Sequence, residues 1–246
     1  MLIIPPTYSQ PEHFNADISQ KAYGVLKPAD TAAYAQTDLT DLAALKPWWN
    51  DLPTDQWLKD GGRYRRRRHS CFIVRAEAIE QTPHRAHWQP TQYNALHGGF
   101  LRMFEPIAPE MIALPAWGKL LRAIGHTCSK IKGEQSWYVE AHAFRIDTTD
   151  GIGRPTPEGA HRDGVDFVAI LLVERKNISG GESRIFAADT SAGERFTLLD
   201  DWTLLLLDDE RVIHESTPIQ PVSAGGHRDT LVLTWRRGGF QEPSTT

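Results

Sequence analysis

The sequence has few of the features that would place it outside the ordinary class of globular proteins. It contains only two cysteines, Cys71 and Cys128, in 246 residues. That number is too small for a disulfide framework and is typical of a reducing compartment. No apolar run approaches the roughly 20 residues needed to cross a bilayer. We therefore expect neither a disulfide-stabilised secreted fold nor a membrane protein.

An excess of positive charge is also absent. Lysine and arginine number 27 against 31 aspartate and glutamate residues, for a net charge of −4, so nothing favours nucleic acid as a partner. The opening Met-Leu-Ile-Ile-Pro-Pro lacks the basic region and long apolar core of a signal peptide. The expectation is a cytoplasmic protein. Its oligomeric state is not predicted.

The remaining composition is ordinary, with 40% apolar and 24% charged residues, and the chain is long enough for one substantial core. We predict a single domain over 1–246, in which a helical and mixed part of about 1–130 packs on a core of about 135–237. Short strand-like segments at fairly regular spacing dominate that core and indicate an antiparallel barrel or jelly roll. The predicted fold is mainly β with flanking helices, a double-stranded β-helix (jelly roll).

Two segments of the first part have apolar residues at helical spacing. Residues 37–48 predict one helix, in which three leucines recur at roughly helical intervals. Residues 115–124 predict a second, with Pro115 at its start and Gly125 directly after its end. Between them, His84 and His87 lie in a proline-flanked loop without a nearby acid or cysteine. We interpret both histidines as surface or edge residues.

Five arginines lie between Arg63 and Arg68, just before a strand-like segment. Such a run is most often a solvated face or a set of ion pairs. In a strand, however, alternate side chains point to opposite sides, so one or two of these arginines would face a cleft and bind an anionic group of a substrate. We assign that role to Arg66 and Arg68.

The stretch 155–164 contains His161 and Asp163, directly ahead of an apolar strand-like run. Residues two apart in a strand point to the same side, so this imidazole and this carboxylate can converge on one metal ion. Taken alone, the pair is more often simply hydrogen-bonded at a strand entrance. His214, on a later strand, would complete a 2-His-1-carboxylate set, which suits non-haem Fe(II) with open coordination positions.

The last predicted strand carries Arg228 and Thr230 on one side. A guanidinium offers a planar fork for a carboxylate, and a neighbouring hydroxyl adds a further hydrogen bond. Together these two residues suit a chelating dianion that also binds the metal. The alternative is that Arg228 forms a surface ion pair with Asp229 or another neighbour.

These motifs together resemble one family, the Fe(II)/2-oxoglutarate-dependent dioxygenases, in particular the bacterial branch that includes L-isoleucine dioxygenase. The resemblance covers roughly residues 135–237. It rests on Pro-Thr-Pro-Glu-Gly-Ala-His-Arg-Asp-Gly at 155–164, the turn Gly180-Gly181, His214, and the closing strand His-Arg-Asp-Thr-Leu-Val-Leu at 227–233.

The resemblance implies an enzyme that uses Fe(II), 2-oxoglutarate and O2 to hydroxylate an unactivated C–H bond of a small molecule, a free L-amino acid in the known members. It assigns the site residues as follows: iron to His161, Asp163 and His214; 2-oxoglutarate to Arg228 with Thr230; co-substrate or substrate contacts to His142 and Arg145; and the substrate pocket to Glu158. Two alternatives stay open at this point. One is a non-catalytic jelly-roll protein that binds or senses a ligand, and the other is a cupin-like metalloenzyme that does not use 2-oxoglutarate.

Overall fold

The fold is described by a computed structural model that covers residues 3–190 and 192–243. Its α-helices are α1 (Phe14–Lys21), α2 (Pro28–Tyr34), α3 (Leu39–Ala43), α4 (Pro109–Ile112) and α5 (Pro115–Lys132), with 3-10 turns at Pro11–His13 and Lys46–Asp51. Its strands are β1 (Tyr23–Leu26), β2 (Arg65–Arg75), β3 (Ala78–Gln81), β4 (Trp137–Asp147), β5 (Phe167–Lys176), β6 (Ile178–Gly180), β7 (Ser183–Ala187), β8 (Gly193–Phe196), β9 (Leu204–Asp208), β10 (Val212–Ser216), β11 (Ile219–Pro221) and β12 (His227–Arg236).

The strands form one large and two small antiparallel sheets, which confirms the predicted jelly roll with flanking helices. The large sheet has the order β1-β9-β5-β12-β4-β2-β3. The small sheets have the orders β10-β7-β8 and β11-β6. The two long central strands β4 and β12 pair over ten residues in continuous register, so side chains on β2, β4 and β12 lie in rows across the sheet.

The large sheet separates two apolar layers, because residues alternate between its faces. Along β5, Ala169, Leu171 and Val173 are buried with the helices on one face. Val168 and Leu172 are buried on the other face, against residues of the three-stranded sheet. Burial of each leucine contributes roughly 1.5–3 kcal/mol relative to exposure, so this alternation determines which face of each strand is left to line a site.

The N-terminal segments belong to the helical layer. Leu42, Leu45 and Trp49 are fully buried in the same apolar cluster as the sheet residues. The indole of Trp49 also donates to the backbone oxygen of Phe144 on β4, at 3.0 Å. The predicted helix over 37–48 is correct only in its middle, since α3 covers five residues and Pro47 lies in the 3-10 turn that follows. The single-domain organisation over 1–246 stays a prediction.

Helix α5 is longer than predicted, because Gly125 lies within it rather than at its end. A Cβ atom at Gly125 would lie 3.1 Å from Val74 and 3.3 Å from Trp235. Glycine therefore allows the helix to approach the sheet closely, and it is Gly133, with a φ of +89°, that ends the helix. Within the described ranges, neither α5 nor any other helix is long and apolar enough to span a membrane.

Candidate metal centre and active-site pocket

His161 and His214 are held side by side by the backbone. The N–H of His161 donates to the oxygen of His214 at 3.0 Å, and the N–H of His214 donates back at 2.9 Å. His214 lies on β10, and β7 holds that strand from the other side. The two rings are consequently neighbours, with centroids 4.8 Å apart. Two histidines distant in sequence thus meet through one antiparallel bridge.

Asp163 completes the cluster. Its Oδ1 lies 3.7 Å from Nε2 of His161, and its Oδ2 lies 3.4 Å from Nε2 of His214. Each of the three residues offers one ligand atom, and these atoms all lie within 4.8 Å of one another. The structure therefore brings together the three residues that the sequence predicted as iron ligands.

The donor atoms of this cluster fit a metal ion. Nδ1 of His161 faces the backbone oxygen of Gly159 at 2.9 Å, so it carries the ring proton and leaves Nε2 towards the metal position. That nitrogen faces the carboxylates of Asp163 and Glu158, the latter at 3.5 Å. Either a proton or a metal ion has to separate these groups. Nε2 of His214 is buried without a hydrogen-bond partner among the described residues, as expected of an atom reserved for a metal.

Without a metal, a proton takes its place. Burial alone would raise the pKa of Asp163, but the nearby rings of His214 and His161 outweigh this effect and lower the pKa. Burial alone would lower the pKa of His214, yet the carboxylates of Asp163 and Asp209, 3.4 and 3.5 Å from its Nε2, raise the pKa to about 10. A metal ion must displace that proton from His214, so metal affinity is expected to fall as the solution becomes more acidic.

Asp209 supports the ligand loop and was not singled out from the sequence. Its buried carboxylate accepts hydrogen bonds from the backbone N–H groups of Asp163, Gly164 and Val165 at 3.1, 2.8 and 3.1 Å. Gly164 has a φ of +74°, and a Cβ there would lie 2.2 Å from Tyr93, so only glycine fits. In sequence, Asp209 is one acid of a turn, and nothing local distinguishes it from Asp208.

Arg228 and Thr230 line the same pocket as the cluster, together with Val232 and Thr234, as the alternation along β12 predicted. Arg228 is only 4% exposed. The adjacent Asp229 is bound instead by Arg145, at 2.6 and 2.8 Å. Nη2 of Arg228 has no partner among the described residues. The alternative interpretation of Arg228, an ion pair with Asp229, is therefore wrong.

The same ion pair corrects the prediction for Arg145. His142 lines the pocket, but Arg145 lies on the opposite face of β4 against Asp229. Residues three apart in a strand point to opposite sides, so these two cannot both contact one ligand. The predicted contact of Arg145 with co-substrate or substrate is wrong, whereas His142 stays a candidate.

The predicted substrate arginines, Arg66 and Arg68, lie on the side of β2 away from the pocket. Arg65 and Arg67 line the pocket, whereas Arg66 and Arg68 point away and form ion pairs with Asp147 at 3.5 Å and Glu105 at 3.0 Å. Arg67 lies opposite Phe144 on β4, which lies opposite Thr230 on β12, so all three share one face. Phe72 and Val74, at even positions of β2, join the helical core. That apolar pair was the sequence signal that even-numbered arginines face away from the pocket.

His87 is buried rather than at the surface, so its interpretation as a surface or edge residue is wrong. It donates from Nδ1 to Oε2 of Glu140 at 2.5 Å. That acid lies on β4, far along the chain, which is why a local search for a partner found none. His69 and His142 lie 3.8 and 3.7 Å from the same oxygen. We call these four residues (His69, His87, Glu140 and His142) the histidine cluster.

The histidine cluster has a donor set that would suit a metal, but its surroundings disfavour a cation. Nη2 of Arg67 donates to Nδ1 of His142 at 2.8 Å, and the charges of Arg67 and Arg102 lower the pKa of His142 in addition to the larger effect of burial. Burial also lowers the pKa of His87 to about 4. The cluster is therefore a set of neutral imidazoles around one ionised carboxylate.

Glu158 occupies the predicted position at the pocket wall. Its Oε2 atom is buried and has no hydrogen-bond partner within the described ranges. Unpartnered buried polar atoms recur around this small cavity of about 130 Å³, on Arg65, Arg67, Arg102, Glu158, His214 and Arg228. Buried polar groups are nearly always satisfied in folded proteins, so their concentration at one pocket indicates ligands of more than one kind.

Acid is expected to destabilise the fold partly through His97, which is fully buried. Its Nε2 accepts from the backbone N–H of Lys59, so a proton there would break that bond. Burial, and then the charges of Arg65 and Arg102, lower the pKa to about 4. Between pH 7 and pH 5, His97 takes up a proton in the unfolded state but not in the folded state. The free energy of unfolding therefore falls by on the order of 1 kcal/mol.

Urea unfolding at pH 7 and pH 5 measures this effect. In His97→Gln the side-chain amide oxygen can still accept the hydrogen bond but does not titrate. The difference in unfolding free energy between the two pH values is therefore expected to shrink in this variant. An unchanged difference in that variant would assign the acid sensitivity to other groups.

A sequence profile of a known family, described as 2OG-Fe dioxygenase, matches residues 46–234. Among solved structures, the chain is 49% identical to a bsmA homologue from Methylobium petroleophilum, with a TM-score of 0.92 over 99% of this chain and all of that one.

Two more distant structures share the fold. One is IDO from Bacillus thuringiensis, 17% identical with a TM-score of 0.74 over 95% of this chain and 100% of that one. The other is the Fe(II)/(alpha)ketoglutarate-dependent dioxygenase TqaL, 18% identical with a TM-score of 0.71 over 94% and 90%. At these identities the likeness concerns the fold alone. None of the curated proteins matches the sequence.

Proposed function

Because this chain belongs to the 2OG-Fe dioxygenase family, we propose that it hydroxylates an unactivated C–H bond of a free L-amino acid. The family uses Fe(II), 2-oxoglutarate and O2, so the chain is an Fe(II)/2-oxoglutarate-dependent oxygenase. The proposal adds the class of substrate, the placement in the branch that includes L-isoleucine dioxygenase, and the residues of the site.

One observation carries the assignment of residues. The cluster of His161, Asp163 and His214 opens into the same cavity as the unpartnered guanidinium of Arg228. Two imidazoles and one carboxylate neutralise only one charge of Fe(II) and leave open positions for a chelating dianion. We assign these three residues as the iron ligands.

Arg228 and Thr230 are assigned to the distal carboxylate of 2-oxoglutarate. Burial, and then the charge of Arg175, lower the pKa of Arg228 to about 10, so the guanidinium remains charged at neutral pH. Among the described residues no carboxylate pairs with it. Gly181 keeps this space open, since a Cβ there would lie 3.0 Å from Nη1 of Arg175 and 3.7 Å from Cδ of Arg228. A bidentate charge-assisted pair in this buried position is strong and sets the orientation of the co-substrate.

Bound iron with its co-substrate and O2 would supply the oxidation that converts the C–H bond to an alcohol, as 2-oxoglutarate becomes succinate and CO2. The protein's own residues provide the arrangement. Asp209 fixes the backbone of the ligand loop, and Gly159 fixes the tautomer of His161. The apolar side chains of Val168 and Ile170 on the pocket wall limit the access of water.

Charge in the remainder of the pocket supports an amino acid as substrate. Glu158 offers an unpartnered carboxylate oxygen, and Arg67 and Arg102 offer unpartnered N–H groups of the opposite sign. A zwitterion presents an ammonium and a carboxylate that match both.

Membership of the family disfavours the cupin-like alternative. The alternative of a non-catalytic ligand-binding protein is disfavoured by the presence of all three candidate ligands and of Arg228, since a pocket without catalysis has no need of that full set.

The proposal predicts that at least one of the twenty L-amino acids stimulates succinate formation by the protein with Fe(II), 2-oxoglutarate and O2. A stimulation of about tenfold or more over turnover without substrate is expected, because substrate binding commits the site to productive reaction. Chromatography with mass detection of a product 16 mass units heavier checks it. If none of the twenty amino acids stimulates succinate formation, free proteinogenic amino acids are not the substrate.

A further inference from the structure

We propose that Arg67 and Arg102 form a carboxylate subsite that binds the α-carboxylate of the substrate, with Glu158 left to face its ammonium group. The identity of the bound molecule as an amino acid rests on the proposed function. The existence of an anion subsite rests on the following contacts alone.

The contacts that hold Arg67 in place do not neutralise its charge. The side chain is 4% exposed and lies over the ring of Phe104 at 3.8 Å. One of its N–H groups donates to the neutral ring of His142 at 2.8 Å, and its Nε has no partner among the described residues. A guanidinium held by an aromatic face and an imidazole keeps donors free for an anion.

The histidine cluster supplies the counter-charge at a distance. Because an arginine only donates, Nδ1 of His142 accepts and its proton lies on Nε2, which faces Glu140 at 3.7 Å. Burial would raise the pKa of Glu140, but its interactions with His87, whose Nδ1 donates to Oε2, and with His69 lower it, so the carboxylate is ionised. It stabilises Arg67 through His142 without occupying the face of the guanidinium towards the pocket.

Arg102 is the second cation of the subsite. It is 1% exposed, and its single side-chain hydrogen bond within the described part of the chain goes from Nη2 to Oε1 of Gln89 at 3.1 Å. Gln89 in turn donates to Oδ1 of Asp163 at 3.0 Å. Gln89 therefore ties Arg102 to a candidate iron ligand, which fixes the position of a bound carboxylate relative to the metal.

Arg67 and Arg102 are two neighbouring cations, and Glu140 and Glu158 are acids close to them. Burial, and then the charge of Arg102, lower the pKa of Arg67 well below its ordinary value. A zwitterion adds a carboxylate beside the two arginines and an ammonium beside Glu158, so its binding leaves the net charge of the region unchanged.

Arg65 shows the contrast. It lines the same pocket, but its Nε donates to the buried carboxylate of Asp55 at 2.7 Å. Its charge is therefore neutralised within the protein, whereas neither Arg67 nor Arg102 contacts a carboxylate within the described ranges. Because of this difference, we expect Arg67 and Arg102, and not Arg65, to bind an external anion.

The first test compares each L-amino acid that stimulates succinate formation with its carboxamide, in which the carboxylate is neutral. The amide is expected to lose about 10- to 100-fold in kcat/KM, the range for hydrogen bonds between charged groups. Arg67→Gln and Arg102→Gln are expected to raise the KM for the acid by a similar factor and to reduce the preference for acid over amide. Arg66→Gln and Arg68→Gln, on the other face of the same strand, are the matched controls and are expected to leave this KM unchanged.

The second test needs no substrate. Crystals of the metal-free protein are soaked in sodium bromide, and anomalous scattering locates the bound ions. A bromide in hydrogen-bond contact with both Arg67 and Arg102 is expected in the wild type and absent in Arg102→Gln. Bromide at Arg228 without bromide at the other two arginines would overturn the subsite.

The two tests separate the two proposals. If an amino acid and its amide stimulate the reaction equally, the subsite is wrong and the proposed hydroxylation of amino acids stands. If no amino acid stimulates the reaction but bromide binds between Arg67 and Arg102, the anion subsite stands and the assignment of amino acids as substrates falls.

Discussion

Asp163→Ala is expected to abolish succinate formation and the weak visible absorption band that Fe(II) and 2-oxoglutarate produce together in the absence of O2. Asp163 is the one carboxylate of the candidate ligand set and faces both His161 and His214. Loss of a group that merely supports a ligand costs about 10- to 100-fold in metal affinity or activity. Loss of the ligand itself is expected to cost at least about 100-fold in activity.

Anaerobic titration of Fe(II) and 2-oxoglutarate into the metal-free protein measures the band. Asp150→Ala is a suitable control, because that exposed carboxylate pairs with Arg63 outside the pocket. If Asp163→Ala keeps both the band and its activity, this residue does not bind the iron. Loss of activity with a band of normal intensity would instead make Asp163 a substrate contact.

Arg228→Ala is expected to raise the 2-oxoglutarate concentration needed for half-maximal activity by about 100-fold or more. The guanidinium is buried and unpartnered, and a charge-assisted hydrogen bond contributes about 1.5–3 kcal/mol, of which a bidentate carboxylate makes two. Fe(II) binding without the co-substrate is expected to change little, because Arg228 is not one of the clustered ligand residues.

Isothermal titration of metal and of 2-oxoglutarate in separate experiments distinguishes the two effects. Arg228→Lys keeps the charge without the planar fork and is expected to recover only part of the affinity. Arg184→Ala is the control, because it removes an arginine of β7 that is paired with Glu182 and Glu215. Equal losses of metal and 2-oxoglutarate affinity in Arg228→Ala would mean that the residue has a structural role.

The outcome of the sequence predictions depended on distance along the chain. His161 with Asp163, and Arg228 with Thr230, are each two residues apart on one segment, and their shared side follows from strand geometry alone. The structure places each pair on the same pocket. Arg145 failed because it was grouped with His142 across three positions, which reverses the side within a strand.

Interactions between distant segments were a second source of error. His87 has no acid nearby in sequence, yet Glu140 reaches it from β4. Asp209 binds three backbone N–H groups of the ligand loop across the fold. Neither partner is indicated by composition or local spacing, because the antiparallel pairing of the sheets brings these groups together.

Local spacing was enough to predict the strand-rich core, the shared side of His161 and Asp163, and the shared side of Arg228 and Thr230, whereas His214 came from a later strand and from the family resemblance. Tertiary structure decided which arginines of β2 enter the pocket and which acid neutralises which cation. The physical reason is that strand periodicity shows which residues share a face of a strand, but not which of the two faces points towards the pocket. The pairing of β2 with β4, with Phe72 and Val74 packed against the helices, turns Arg65 and Arg67 towards the pocket and Arg66 and Arg68 away from it.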